Sequence, residues 1–169
     1  MSRVDVEAVD PAKISYSKER GRPMLTKSQL AHRIRRHVER ELLDDSCALP
    51  LGTAIYSLSD PRDIRTTRYV GQTANPRRRF LQHLNTARLW VPEECPWWVR
   101  SPKLRPLYDW LRELYREEYR LPTMVIHDWT TTTQAARLAE RARIYESLVK
   151  NLPILNVERE MLRGQRPLL

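Results

Sequence analysis

Tyrosine, arginine, histidine and glutamate residues occur in this chain at spacings that could bring them into one site. Tyr56 and Tyr69 lie in two short segments rich in β-forming residues. Arg79 and His83 follow four residues apart, on one face of a helix, and Glu140 lies far downstream. Hydrolysis of a phosphodiester bond needs a base for the proton of the attacking water, positive charge near the phosphate and usually a divalent cation. Tyrosine or histidine could serve as the base, arginine as the charge and glutamate as the ligand of the cation.

The pattern of apolar residues predicts the elements that would position these side chains. Short β-rich segments at 54–58, 68–71 and 124–126 predict three strands, and the turn residues between the first two indicate an antiparallel pair. Apolar residues at helical spacing predict four helices, namely about 27–43, one that begins at Asn75-Pro76, one marked by Leu107 to Leu114, and about 134–150. We therefore expect a small α/β (α+β) fold, in which helices flank a three-stranded antiparallel sheet.

The first 50 residues differ in composition from the α/β region that follows them. Residues 1–24 have no apolar period and indicate a flexible basic arm. Thr26 and Gln29 have the spacing of a capping box, so an extra amphipathic helix is expected within residues 25–50. Residues 51–169 would then form the main domain.

The chain is strongly basic, with a net charge of +9 and an isoelectric point near 10.0. This charge favours a polyanionic partner, with nucleic acid as the first candidate and an anionic membrane surface as the second. The polar side of the predicted N-terminal helix either contacts DNA or is the solvated face of a docked helix. It carries Arg33, Arg35, Arg36, His37 and Arg40.

Cysteine usage and hydropathy exclude several classes of protein. Cys47 and Cys95 lie far apart and form no CxxC motif, which argues against a zinc finger and a disulfide framework and favours a reducing, cytoplasmic location. No apolar run reaches the length of a membrane span. No helix pairs a basic face with the bulky aromatic face typical of membrane-surface proteins, so no membrane partner is expected.

Two triplets on the first two predicted strands resemble the signature of the GIY-YIG endonuclease family. Ala54-Ile55-Tyr56 stands at the first triplet of the family, and Tyr69-Val70-Gly71 stands at the second. Arg79 then falls on the catalytic arginine, and His83 on the residue one helical turn later. The resemblance covers roughly residues 52–158, and its specificity lies in the order of the motifs within a matching β and α context. The middle and closing patterns are carried by Trp110-Leu111, Ala136, Glu140, Ile144 and Leu155-Asn156.

The resemblance implies a metal-dependent endonuclease that cuts double-stranded DNA, with Mg²⁺ or Mn²⁺ held by Glu140 and no small-molecule cofactor. Arg79 would bind the developing charge. Tyr56, tuned by His83, would orient or deprotonate the attacking water, and Tyr69 would hydrogen-bond to the water or the phosphate. Asn156 would supply a supporting hydrogen bond in the active site. His83, with an ordinary pKa near 6.5, accepts a proton at neutral pH more readily than a tyrosine near 10.

The same resemblance extends to residues that would contact the nucleic acid. Arg77 and Arg78 are expected to anchor phosphates beside Arg79. Gln72 stands where many family members have a lysine that would stabilise a tyrosinate or the scissile phosphate, so more of that task would fall to Arg79 or the metal. Further contacts are expected from the N-terminal helix, through Arg33, Arg36 and Arg40.

Two alternatives remain open at the level of sequence. The last predicted helix has two apolar sides, so periodicity alone does not choose between Glu140 and Glu146 as the metal ligand, and the resemblance favours Glu140. The alternative function is a nucleic-acid-binding module of the same fold that is catalytically weak or inactive. Gln72 and the arginine-rich helix favour that function, whereas the carboxylate at Glu140 argues against it.

Overall fold

A computed structural model describes residues 25–42, 51–91 and 98–156 of the chain. Within these ranges the chain forms an antiparallel sheet of three strands in the order β2-β1-β3, so β1 is central. Four α-helices accompany the sheet in the described part of the chain, and the predicted α+β class is confirmed. The elements are α1 (Lys27–Glu41), β1 (Thr53–Asp60), β2 (Asp63–Thr73), α2 (Pro76–Thr86), α3 (Arg105–Glu118), β3 (Thr123–Thr130) and α4 (Thr133–Val149), with one turn of 3-10 helix (Pro102–Leu104) before α3.

Local capping signals account for where the helices begin. Before α1, the Thr26 hydroxyl accepts a hydrogen bond from the Gln29 amide at 3.3 Å, and the Gln29 side chain accepts one from the Thr26 amide at 2.9 Å, which confirms the capping box. Asn75 caps α2 by accepting from the Arg78 amide at 2.8 Å, with a proline in the first turn. Thr132 caps α4 through the Ala135 amide.

The first two strands form a longer hairpin than their apolar pattern predicts. β2 begins at Asp63 rather than near residue 68, and it pairs with β1 from Asp60↔Asp63 to Ala54↔Thr73. The added part of β2 is largely exposed and has Ile64 as its one apolar residue, so it carries no apolar alternation that sequence reasoning could detect. Asp60 closes the turn, because its carboxylate accepts hydrogen bonds from the amide and the guanidinium of Arg62.

The two faces of the sheet are buried against different helices. On one face, Tyr56 and Leu58 pack into a cluster with apolar residues of α1, α2 and α3. On the other face, Ile55 and Val70 pack against α4 through residues such as Ile144. Alternate residues of a strand point to opposite faces, so neighbouring residues of β1 serve two separate clusters.

Helix α1 belongs to the main core. Leu30, Ile34 and Val38 are at most 1% exposed and lie in the same cluster as Tyr56 and Phe80. The boundary predicted near residue 50 therefore does not separate two cores, because α1 and the predicted main domain share one core. The residues predicted to form a basic arm (1–24), the two cysteines Cys47 and Cys95, and most of the 92–102 loop lie outside the described residues.

No helix in the described parts of the chain has both the length and the apolar character needed to span a membrane.

Candidate functional site

Tyr56 lies at the centre of β1 with its ring directed toward α2. It pairs across the sheet with Gly71, where an added Cβ would lie 2.6 Å from the Tyr56 hydroxyl oxygen and 2.7 Å from the ring carbon that bears it. Any side chain at position 71 would therefore collide with the tyrosine. This contact gives a physical reason for a glycine at the end of the second triplet.

A buried histidine holds the hydroxyl of Tyr56. The Tyr56 hydroxyl lies 2.8 Å from Nε2 of His83, and the Tyr108 hydroxyl lies 3.4 Å from Nδ1 of the same ring. Burial and the charge of Arg79 lower the pKa of His83 to about 3. The expectation that His83 accepts a proton at neutral pH is therefore corrected, because this neutral ring in an enclosed site is a weak base. Its two nitrogens instead fix the orientation of Tyr56 and Tyr108.

Tyr56 itself is enclosed, and its side chain is 0% exposed. Burial raises its pKa, and the neighbouring tyrosine and the charge of Glu140 raise it further, against the opposing charge of Arg79. A group that water does not reach, and whose ionised form is disfavoured, is poorly placed to deprotonate water. The role expected for Tyr56 from the resemblance thus does not fit its surroundings.

Tyr69 lies on the same side of the sheet but on the edge strand β2, and its side chain is partly exposed. Its ring centroid is 6.3 Å from that of Tyr56 and 5.6 Å from that of His83, which it meets edge-on. Burial raises the pKa of Tyr69, the charge of Arg79 lowers it and that of Glu140 raises it. Of the two tyrosines, Tyr69 is the one placed to touch a ligand.

Arg79 supplies the positive charge of the site from the first turns of α2. Its Nε donates to the Tyr56 hydroxyl at 3.3 Å, and its Nη1 donates to the Gln82 side chain at 2.9 Å. The guanidinium is only partly exposed, and its charge acts on Tyr56, Tyr69 and His83 alike. These two hydrogen bonds hold the positively charged guanidinium in a fixed orientation, as stabilisation of a developing anion requires.

The other two arginines of this run lie on the outer side of α2. Arg77 and Arg78 are exposed, and Arg77 forms an ion pair with Glu39 of α1 at 3.1 Å. Together with Asn75 and Gln82 they line a shallow cavity of about 400 Å³ on the surface. Their position beside Arg79, outside the tyrosine cluster, suits contacts to a phosphate backbone.

Glu140 approaches the tyrosines from α4, on the opposite face of the sheet. The Gln72 side-chain amide donates to Oε2 of Glu140 at 2.8 Å, and the charge of Glu140 raises the pKa of both Tyr56 and Tyr69. Glu146 is engaged elsewhere, since it forms ion pairs with Arg143 at 3.0 Å and Lys150 at 2.6 Å. Of the two glutamates, Glu140 is therefore the one that contacts β2, the strand that carries Tyr69.

Asn156 reaches the site indirectly, through the backbone of β2. Its amide oxygen accepts from the Val70 N–H and its amide nitrogen donates to the Val70 carbonyl, both at 2.8 Å, while the Leu155 N–H bonds to the carbonyl of Arg68. The side chain thus supplies the hydrogen bonds that a further strand would supply at this edge. It is a positioning residue for the segment that carries Tyr69 and Gly71.

A cation at this site would have one protein carboxylate. The described residues contain no group of three or more histidine, cysteine, aspartate or glutamate side chains that could hold a metal ion. This does not fit a zinc site, which takes three or four protein ligands. It fits Mg²⁺ or Mn²⁺ held by Glu140 together with waters and a phosphate oxygen of the substrate, because such hard cations keep several water ligands.

The N-terminal arginines lie apart from the tyrosines. Arg33 donates to the Tyr119 carbonyl at 2.6 Å, and its guanidinium stacks 4.2 Å from the centroid of the Tyr119 ring. Arg36 and Arg40 line the same separate cavity as Arg33.

Sequence reasoning overlooked Tyr108 and Gln82, which hold His83 and Arg79 in place. Gln82 lies three residues after Arg79, a spacing that predicts contact on a helix. Tyr108 follows Leu107 in an amphipathic helix, where its type and spacing do not distinguish it from a core residue.

No match to this chain was found among models of protein families, among characterised proteins or among solved structures.

Proposed function

We propose that this protein is a metal-dependent endonuclease of the GIY-YIG type, which hydrolyses DNA phosphodiester bonds at the sheet edge that carries Tyr69. One observation carries the proposal. Arg79 from α2 donates to the Tyr56 hydroxyl of β1 on one face of the sheet. Glu140 from α4 accepts from Gln72 of the neighbouring strand β2 on the other face, so an arginine and a carboxylate contact adjacent strands at the same end of the sheet. Binding of phosphate alone would need the arginine but not the carboxylate.

The role of each residue in the reaction follows from its exposure. Tyr69, which is partly exposed, orients the attacking water by hydrogen bonding. The proton of that water passes to a phosphate oxygen or to solvent, because Tyr56 and His83 are enclosed. Arg79, held by Tyr56 and Gln82, stabilises the negative charge that develops on the phosphate. Tyr56 and His83, both 0% exposed, keep the arginine and the sheet in position.

A divalent cation bound at Glu140 would polarise the phosphate and stabilise the leaving oxygen. Gln72 donates to Oε2 of Glu140 and so orients the carboxylate without adding a positive charge.

Incubation of the purified protein with supercoiled plasmid and Mg²⁺ or Mn²⁺ tests this proposal. We expect nicked and linear DNA with the metal, and none in EDTA. Glu140→Ala should abolish cutting and leave DNA binding nearly intact, because it removes the carboxylate and not the basic surface. Glu146→Ala is the matched control on the same helix and should cut like the wild type. If the Glu140 variant cuts and the Glu146 variant does not, the ligand assignment is wrong.

A second candidate is a nucleic-acid-binding module that does not cleave. Two observations favour it, namely the net charge of +9 and the neutral Gln72 at a position where the resembled family often has a lysine. The plasmid assay separates the two functions, because a module of this kind would shift the mobility of DNA in EDTA and produce no cut with either metal.

A further inference from the structure

A second basic site lies where α1 meets the link between α3 and β3 and the turn between β1 and β2. The cavity there has a volume of about 670 Å³, large enough for several phosphate groups with their water. The Pro61 turn and the start of β3 at Thr123 form its other walls. Its basic lining consists of His32, Arg33, Arg36, His37, Arg40 and Arg120, against a single acidic residue, Glu41.

One part of this lining is held rigidly by the protein itself. Arg33 is bonded to the carbonyl of Tyr119, and Tyr119 ends α3 in a left-handed conformation with a φ of 56°. The Tyr119 ring stacks on that of Tyr115 with centroids 5.0 Å apart. His37 lies 2.8 Å from the Pro122 carbonyl through Nε2 and 3.1 Å from an Arg40 nitrogen through Nδ1. These contacts fix the wall of the cavity without a bound ligand.

Two other cations of the lining are not used by the described part of the protein. Arg36 and Arg120 are exposed and form no hydrogen bond or ion pair with any described residue. One comes from α1 and the other from the link after α3, so two separate elements direct free guanidinium groups at one cavity. Arginine binds phosphate through a planar fork of donors, and cations arranged in this way attract a polyanion.

We infer that this cavity is a phosphate-binding site for the DNA backbone, distinct from the catalytic edge, in which Arg36 and Arg120 make the contacts. The choice of DNA as partner rests on the proposed function. The cavity lies at the hairpin end of β1, five residues from Tyr56, or roughly 17 Å along the strand. At 3.4 Å per base pair, about five base pairs would span that distance. One duplex could therefore occupy both sites.

The test is the binding of a labelled DNA duplex by fluorescence anisotropy in EDTA over a salt series. Arg36→Gln/Arg120→Gln should weaken binding about tenfold at moderate salt and reduce the salt slope by about one unit for each arginine. Arg35→Gln/Arg105→Gln is the matched control, since both residues are exposed and neither lines the cavity. The control should retain most of the affinity, and thermal melting should show that both variants are folded.

The measurement uses no metal and reports binding only. The result therefore remains valid even if the protein does not cut DNA. Equal losses in the two double variants would show that only net charge matters and would overturn the inference, as would unchanged affinity and slope in Arg36→Gln/Arg120→Gln. Binding to phosphatidylserine vesicles that depends on Arg36 and Arg120, without binding to DNA, would assign the cavity to a membrane surface and would also overturn it.

Discussion

Tyr56 and Tyr69 lie on neighbouring strands with their rings 6.3 Å apart, yet they occupy different environments. Tyr56 is on the central strand, and its hydroxyl is enclosed by His83 and Arg79. Tyr69 is on the edge strand, where residues 155–156 bond to the backbone on either side of it and its side chain keeps some exposure. The place of each strand in the sheet, rather than the residue type, separates a structural tyrosine from one that can contact a substrate.

The same division extends to the partners of the two tyrosines. The enclosed group comprises Tyr56, His83 and Tyr108, and its hydrogen bonds stabilise the fold. The partly exposed group comprises Tyr69, Gln72, Arg79 and Glu140, and it contains the two charged side chains. Substitutions in the first group should reduce stability more than the reaction rate, and substitutions in the second should do the reverse.

The largest effect of a single substitution on rate, apart from Glu140, is expected at Arg79. Arg79→Ala should reduce the rate of cleavage about 10²- to 10³-fold, on the scale of one lost contact to a developing anion. Arg78→Ala, one residue away and exposed, should reduce affinity modestly with little change in the single-turnover rate. Single-turnover cleavage with saturating protein measures both, and equal rate losses would show that the arginine run acts only as a basic surface.

The paired substitutions Tyr69→Phe and Tyr56→Phe compare the two environments directly. Tyr69→Phe should slow cleavage by about one to two orders of magnitude, in the range of a lost hydrogen-bonding catalyst, with an unchanged melting temperature. Tyr56→Phe should destabilise the fold by about 1–3 kcal/mol, because Nε2 of His83 and Nε of Arg79 lose the hydroxyl that each of them contacts. Denaturant unfolding and single-turnover kinetics on both variants provide the comparison. A reversed pattern would restore Tyr56 as the residue that acts on water.

The sequence predicted the elements of the fold but not this division. Helix starts follow from local signals, such as the capping box at Thr26, and all three strands carry recognisable β-rich segments. Which strand is central depends on the pairing of β1 with β3, between residues about 70 positions apart, such as Ser57 and Val125. No local pattern encodes that pairing, so the burial of Tyr56 and the exposure of Tyr69 could not be distinguished.

Contacts between distant segments were missed for the same reason. Asn156 was expected to make an active-site hydrogen bond, yet both ends of its amide bond to the Val70 backbone, 86 positions earlier. The choice of Glu140 over Glu146 depended on a resemblance, because a helix with two apolar sides does not reveal which side meets the edge of the sheet. Types and order of the site residues could be read from the sequence, whereas their partners required the fold.

Gly71 offers a test of the enclosed group that leaves every polar atom in place. Gly71→Ala places a methyl group against the Tyr56 hydroxyl, so the ring must shift and its bond to His83 must lengthen. Overpacking of this kind costs about 1–3 kcal/mol. A combined Gly71→Ala/Tyr56→Phe variant should be less destabilised than the sum of the two single variants. Both single changes disturb the bond to His83, and removal of the hydroxyl relieves the contact at 2.6 Å, although the contact with the ring carbon at 2.7 Å remains. Strict additivity in denaturant unfolding would contradict this contact.

The acid dependence of stability should also reflect the enclosed position of His83. Its pKa is about 3 in the folded protein and near 6.5 in an unfolded chain, so between these values only the unfolded state binds the proton. Stability should therefore fall as the pH is lowered below 6.5, by at most about 1.4 kcal/mol per pH unit from this group.

His37 and His127 also have lowered pKa values and contribute in the same direction, so the wild type alone does not isolate His83. His83→Gln keeps a neutral, hydrogen-bonding side chain and should be less stable at pH 7 but less sensitive to acid between pH 6.5 and 5. His127→Gln is the matched control, and its acid sensitivity should decrease less, because His127 is partly exposed whereas His83 is 0% exposed. If the free energies of unfolding of the wild type and of His83→Gln changed with pH in parallel, folding would not lower the pKa of His83. The distinction between the enclosed group and the partly exposed group would then no longer hold.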